Sequence, residues 1–409
     1  MTSQARRRSL AALATLPALA ALPALGRAAG SAPTPTPTSA PPAAPCHWPL
    51  YQLFLARFLQ ADGRVIDPAT KSQHSTSEGQ SYLMLFALMA NDRATFDRAW
   101  QWSVANLGAG SLADKLPAWQ WGRRDDNSWG VIDANPASDA DLWFAYALAE
   151  AARVWKSPGY ADAARALLRL VAKEEVVTLP GFGPMLLPGP QGFAQGKADG
   201  PREWRVNPSY LPLPMLRRLA TFDPSGPWGA LAGQVPKLVD AVAPHGIAPD
   251  WAAFQVRPGQ PGAFVTDAGK GDVGSYDAIR VYLWAGVTPK TDAGGRALMK
   301  TLAPVARLMQ ARPTPPERLH ADTGVGEGDG PPGFSAALVP FLQAAGSPAA
   351  AAQRTRAAAL ADPAKPATYY DTALGLFGLG HAEGRYQFAP SGQLELPWLQ
   401  GKTNACARS

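Results

Sequence analysis

Three carboxylates stand in short polar segments that precede strongly apolar runs: Glu78 in Thr76-Ser77-Glu78-Gly79, Asp139 in Ala137-Ser138-Asp139-Ala140-Asp141, and Asp277 in Gly274-Ser275-Tyr276-Asp277. Cleaving a glycosidic bond requires a protonated acid beside the leaving oxygen and a second carboxylate acting on water or on the sugar, so a pair of this kind is the minimum equipment. Aromatic residues gather around the same segments, namely Trp119, Trp121, Trp129, Trp143, Trp204, Tyr210, Tyr276 and Trp284. Their rings offer an apolar face with a polar tip, which suits the flat faces of pyranose rings. With 13 tryptophans in the chain, about half of these rings are expected to be core packing instead. Ser and Asp before a helix are also ordinary caps, but capping accounts neither for Glu78 nor for the aromatic residues beside it.

The elements that position these groups read as helices of two kinds. Residues 81–90, 142–152, 210–219, 278–285, 336–342 and 372–379 are apolar nearly all round, and such a helix is surrounded by protein. Residues 48–60, 93–106, 160–173, 228–242 and 296–311 are amphipathic. In 160–173, Ala163, Ala164, Leu167 and Val171 share one face, while Asp162, Arg165, Arg169 and Lys173 lie elsewhere. No run of alternating strands stands out. The two helix kinds alternate along the chain, which suits a closed double ring of helix pairs, and an irregular helical bundle fits the same order. If the inner helices run the same way, their polar amino ends gather on one rim, including 207–210, 333–335 and 369–371.

The chain has 409 residues, of which 46% are hydrophobic and 17% charged, a composition that excludes disorder as the whole answer. Four of its basic residues, Arg6, Arg7, Arg8 and Arg27, precede residue 30, and without them the net charge falls from +6 to +2. That near-neutral body has no footprint for nucleic acid. Residues 1–30 read as an export signal: three arginines, an apolar run broken by two prolines, then small residues. Arg7-Arg8-Ser9-Leu10 loosely fits a twin-arginine signal, and ordinary secretion fits as well. The short, proline-broken run argues against a membrane anchor. Residues 31–45 are a Pro/Thr/Ala-rich tether, and a single folded domain is expected over 46–409. The implied location is the periplasm or the exterior.

Only Cys46 and Cys406 are present, either as one disulfide fastening the termini or as two free thiols. The five histidines have no HExxH or HxH spacing, so neither a metal nor another cofactor is expected. The acidic, glycine-rich stretch 322–330 reads as a surface loop, and 270–274 as a segment shaping the approach to Asp277. No G-x-S-x-G elbow occurs, which argues against a serine hydrolase.

Three motifs, Ser77-Glu78-Gly79-Gln80-Ser81-Tyr82, Ala137-Ser138-Asp139-Ala140-Asp141-Leu142-Trp143 and Ser275-Tyr276-Asp277-Ala278-Ile279-Arg280, resemble those of glycoside hydrolase family 8. Gly63-Arg64-Val65-Ile66-Asp67, Leu116-Pro117-Ala118-Trp119, Asn207-Pro208-Ser209-Tyr210-Leu211-Pro212 and Gly333-Phe334-Ser335-Ala336-Ala337 extend the resemblance to members encoded with bacterial cellulose synthase. Leu83 departs from it, standing where glycine is usual after the tyrosine of the first motif. The resemblance implies an all-α (α/α)6 barrel of six inner and six outer helices, and inverting hydrolysis of internal β-1,4-glucan bonds of cellulose. It implies Glu78 as general acid and Asp277 as general base. Asp139 would hold the sugar at the cleavage point, and Tyr276, Arg280 and Tyr210 would complete that subsite. The expected partner is a β-1,4-glucan chain, with a functional association with the cellulose synthase complex. The rival from another class is a glucan-binding assembly subunit of the export apparatus without turnover.

Overall fold

The computed structural model describes residues 46–197 and 200–401. The expected export signal over 1–30 and tether over 31–45 lie outside the described residues, as does Cys406. Cys46 is buried and is not a free thiol.

The helices are α1 (Pro49–Phe58), α2 (Ser77–Met89), α3 (Arg93–Asn106), α4 (Ser138–Val154), α5 (Pro158–Glu174), α6 (Leu213–Phe222), α7 (Trp228–Val242), α8 (Ile279–Val287), α9 (Ala293–Thr301), α10 (Ala303–Ala311), α11 (Pro332–Ala344), α12 (Ala349–Ala357) and α13 (Tyr369–Ala382). Six of them, α2, α4, α6, α8, α11 and α13, form the inner ring of an (α/α)6 barrel. The others form the outer ring, with α9 and α10 together filling one outer position. The sequence accounts for this sorting. Every residue of α2 except Glu78 is buried, and all of α8 is buried, because no face of either helix reaches water. In α5 the buried residues Tyr160, Ala164, Leu167, Leu168, Leu170 and Val171 form one stripe, as in an outer helix.

Neighbouring inner helices pack in order around the ring, and α11 lies very close to both of its neighbours. A side chain at Gly286 of α8 would place its Cβ 2.2 Å from the backbone nitrogen of Phe341, and one at Gly378 of α13 would sit 1.9 Å from the carbonyl oxygen of Ala336. Glycine is required at both for lack of room. The ring closes between α13 and α2 through aromatic contacts, with Phe377 ring centroids 4.9 Å from Tyr82 and 4.8 Å from Phe86.

Short antiparallel strands, which the sequence reading did not anticipate, sit in the connections. Ser75–Thr76 pairs with Gln120–Arg123, which pairs with Trp129–Asp133, and this sheet leads directly into α2. A four-stranded sheet runs Ala194–Gly196, Arg202–Val206, Ala252–Val256, Ala263–Thr266. Val273–Gly274 pairs with Arg318–His320, which pairs with Gly326–Glu327, so the stretch expected as a plain surface loop supplies one strand. The strands run two to five residues, too short to show a clear period-2 pattern in sequence. Among the described residues, no helix is long and apolar enough to cross a membrane.

Candidate active site

Arg280, on the first turn of α8, is buried at the amino ends of the inner helices. Its Nη1 donates to Glu78 Oε2 at 2.5 Å, and its Nη2 donates to Asp277 Oδ1 at 2.7 Å and to Ser209 Oγ at 3.1 Å. Asp139 Oδ2 lies 3.9 Å from Nη1. Carboxylates from α2, from α4 and from the turn before α8 therefore converge on one guanidinium, which gathers groups that are 61 to 199 residues apart in the chain. Burial of these charges is tolerated because they are paired and hydrogen-bonded.

Local sequence explains how each carboxylate is aimed. Thr76 caps α2 by accepting from the Gly79 backbone N–H at 3.0 Å, which leaves Glu78 on the first turn facing the rim. The Tyr369 hydroxyl lies 3.4 Å from the other Glu78 oxygen. Asp277 sits in a turn whose backbone N–H groups at Ser275, Asp277 and Ala278 all donate to Asp250 Oδ1, at 2.7, 3.1 and 2.7 Å. Asp250 thus satisfies donors that a helix start leaves unpaired. The second Asp277 oxygen accepts from Trp251 Nε1 at 3.1 Å. Asp139 is not a cap in the usual sense: the cap position of α4 is Ala137, and Asp139 Oδ1 accepts from the next N–H, of Ala140, at 2.8 Å.

Burial raises the Glu78 carboxyl above its ordinary range; Arg280 opposes that rise and the charge of Asp277 reinforces it. The Asp139 carboxyl is pushed up to about 7, first by burial, with Arg280 opposing and Glu78 and Asp277 adding to the rise. Burial disfavours the Arg280 cation, yet Tyr370, Tyr82, Glu78 and Asp277 around it outweigh that and keep it charged. The arrangement gathers three carboxyl groups around one fixed cation, and burial makes Glu78 and Asp139 hold their protons more tightly than ordinary carboxyls.

The aromatic residues named from sequence divide. Tyr276 is 46% exposed, its hydroxyl donates to Glu317 Oε1 at 2.9 Å, and its ring meets Phe334 edge-on. Tyr210 is half-buried with the Arg280 guanidinium 5.7 Å from its ring. Trp119 is half-buried, and its carbonyl accepts from Ser77 N–H at the start of α2. Trp121 and Trp129 stack at 5.6 Å, with Arg64 over both rings, and Trp129 is 45% exposed. Three do not belong with these. Trp143 is 1% exposed, wedged among Tyr82, Tyr146, Trp284 and Phe377, so it packs the barrel core and offers no face to a sugar. Trp204 is buried against Phe254, with the Arg202 guanidinium 5.2 Å from its ring. Trp284 is also core, and its Nε1 donates to the Ser209 carbonyl, steadying the segment that touches Arg280.

Sequence reasoning did not assign Ser209, Asp250, Trp251, Glu317, Tyr369 or Tyr370 to the site. For Ser209, Tyr369 and Tyr370 a signal existed, since they stand at inner-helix amino ends like the residues it did assign. Asp250, Trp251 and Glu317 come from connecting segments far from any such end. Among the described residues, no group of three or more His, Cys, Asp or Glu side chains is arranged to hold a metal ion.

A closed ring of helix pairs, carrying carboxylates around a buried arginine on a rim walled by aromatic rings, defines the class of glycan-cleaving hydrolases. The family model described as glycosyl hydrolases family 8 matches residues 39–384, and the chain belongs to that family. An "Endoglucanase" of Xanthomonas axonopodis pv. citri is 47% identical over 362 residues, covering 88% of this chain and 91% of that protein. A protein of the same description from Pseudomonas fluorescens is 45% identical, covering 87% and 92%. The solved structure of the endo-1,4-D-glucanase from Vibrio fischeri superposes with a TM-score of 0.79 at 36% identity, covering 86% of this chain and all of that one.

Proposed function

We propose that this protein is an endo-β-1,4-glucanase that hydrolyses internal bonds of cellulose with inversion at the anomeric carbon. Glu78 acts as general acid toward the leaving oxygen, and Asp277 as general base toward the attacking water. Asp139 holds the sugar at the cleavage point, with Tyr210, Tyr276 and Arg280 completing the subsite, and Trp119, Trp121 and Trp129 binding sugars further along. The observation that carries the reading is the Arg280 bridge, with Glu78 on one terminal nitrogen and Asp277 on the other. The bridge sets the two carboxylates on different terminal nitrogens of one guanidinium; an inverting pair stands ~6.5–9.5 Å apart to leave room for a water. The raised Glu78 carboxyl supports the acid role, since an acid near neutral pH must keep its proton. The descriptions of the relatives support the substrate class. The arginine-led leader supports export to the periplasm or beyond, where the enzyme would trim glucan chains during cellulose synthesis and export.

The test is release of reducing ends from carboxymethylcellulose by the mature protein, beside Glu78→Gln and with xylan and chitosan as controls. Turnover confined to glucan, falling ~10²- to 10⁴-fold in Glu78→Gln with binding retained, is the expected result. Proton NMR of the first product formed should show the α-anomer. A folded protein that binds glucan and never cleaves it would instead favour a binding subunit of the export apparatus.

A further inference from the structure

Both oxygens of Asp277 are engaged before any substrate arrives. Oδ1 accepts from Arg280, and Oδ2 accepts from the indole Nε1 of Trp251 at 3.1 Å. The Trp251 ring is itself held on several sides. Phe193 lies parallel to it at 5.8 Å and 16°, Tyr210 approaches at 6.4 Å and 60°, and the Arg205 guanidinium lies 5.0 Å from its centre. Arg205 is fixed in turn by two hydrogen bonds to Asp267, at 2.6 and 3.0 Å. Asp267 is buried and also accepts from the backbone N–H groups of Gly269 and Lys270, at 3.0 and 2.8 Å. A continuous stack therefore runs Asp267, Arg205, Trp251, Asp277. It starts in the 266–270 turn, passes through strand Arg202–Val206 and ends on the carboxylate.

We infer that Trp251 is a positioning residue for the base, donating one hydrogen bond that aims the Asp277 carboxylate, and that the Arg205–Asp267 pair holds the indole for that purpose. The inference rests on the assignment of Asp277 as base. Hydrogen bonds to carboxylates are among the stronger and more directional ones, so a single fixed donor can hold the carboxylate in one orientation. The other charged or titratable groups around Asp277 are Arg280 on α8, Glu78 on α2, Asp139 on α4, Tyr370 on α13, Tyr210, and Asp250 in the preceding loop. Arg280 and Trp251 are the side chains bonded directly to the carboxylate. Phenylalanine at 251 keeps an aromatic ring beside Phe193 and Arg205 and removes the donor, together with one ring of the indole.

The experiment compares wild type, Trp251→Phe, Arg205→Met and Asp277→Asn on a soluble glucan, recording kcat and KM together with thermal melts. In Trp251→Phe, kcat should fall about tenfold with KM changed less than about twofold. Arg205→Met should lower kcat in the same pattern by less. A lower melting temperature with kcat and KM unchanged below the transition would make Trp251 merely structural and overturn the inference. A rise in KM with kcat unchanged would make the indole a sugar platform, and overturns it too. Asp277→Asn separates the two readings: normal turnover in that variant removes the base assignment itself, whereas an inactive Asp277→Asn beside an unaffected Trp251→Phe removes only the role of Trp251.

Discussion

Behind Asp139, two turns of chain press together a pair of carboxyl groups that the proposed chemistry does not use. Asp141 lies on the first turn of α4 and Glu175 caps the end of α5, both fully buried. None of their four oxygens receives a hydrogen bond from an N–H or hydroxyl group among the described residues; the two carboxyls interact with each other. Burial raises both well above the ordinary range, and the neighbouring carboxyls of Asp139 and Glu174 add to the rise. The folded state therefore holds protons that the unfolded chain releases near pH 4, so stability falls as pH rises from there toward the folded values. Asp141→Asn removes one of the two acids and keeps a donor for Glu175. Its melting temperature relative to wild type should accordingly climb steadily between pH 4 and pH 8. Thermal melts at unit pH intervals check this, and a difference independent of pH would mean the pair is not held protonated. At the same scale, Trp143→Ala should cost about 3–5 kcal/mol of stability, as for a core ring, whereas Trp129→Ala should leave stability nearly unchanged and raise KM on long glucans. Urea titrations beside KM values separate the two.

At the scale of elements, the sequence made the helices legible and left their connections obscure. The outer helices at 93–106 and 228–242 end where their apolar stripes end, as α3 and α7 do. The run read as one helix over 296–311 is two, because Leu302 closes α9 and Pro304 sits near the start of α10. The segment read as helical from 210 begins as a helix only at Leu213, after a short 3₁₀ turn at Pro208–Tyr210. The outer helix α12 is alanine-rich, without a strong stripe, and escaped notice. Of the site, the three carboxylates and Arg280 were readable because each stands at an inner-helix start. Trp251 and Asp250 were not, since only the folded connection leading into strand Ala252–Val256 brings them against Asp277. The packing of elements gives a paired prediction at two glycines. Gly378→Ala should lower stability by about 2 kcal/mol or more, since its Cβ meets the α11 backbone at 1.9 Å. Gly233→Ala, exposed inside α7 with nothing within 4 Å of the new Cβ, should raise it by about 0.4–1 kcal/mol. Chemical denaturation of the two variants tests both signs together.

For the whole molecule, the decisive feature is that the inner ring closes on one side chain. Phe377 of α13 is 1% exposed, and its ring centroid lies 4.9 Å from Tyr82 and 4.8 Å from Phe86 on α2, 5.7 Å from Trp143 on α4, and 5.1 Å from Trp284 on α8. The last inner helix is thereby fixed to the first and to two others across the axis. The same rings underlie the rim: the Tyr82 hydroxyl is 3.5 Å from Arg280 Nη1, and Trp284 Nε1 holds the Ser209 carbonyl at 2.9 Å. An open stack of helix pairs can lose its end pair and keep the rest, because each repeat depends only on its neighbours, whereas a closed ring has no end to fray. Phe377→Ala should therefore cost about 3–5 kcal/mol without creating a partly unfolded state. Melts followed by far-UV circular dichroism and by tryptophan fluorescence should still coincide, at a lower temperature than wild type. Turnover below the transition should drop further than that of Gly378→Ala, because the cavity opens against Tyr82 and Trp284, whose polar atoms support Arg280 and Ser209. Two separated transitions, with the α12–α13 end melting first, would show that the ring behaves as an open stack.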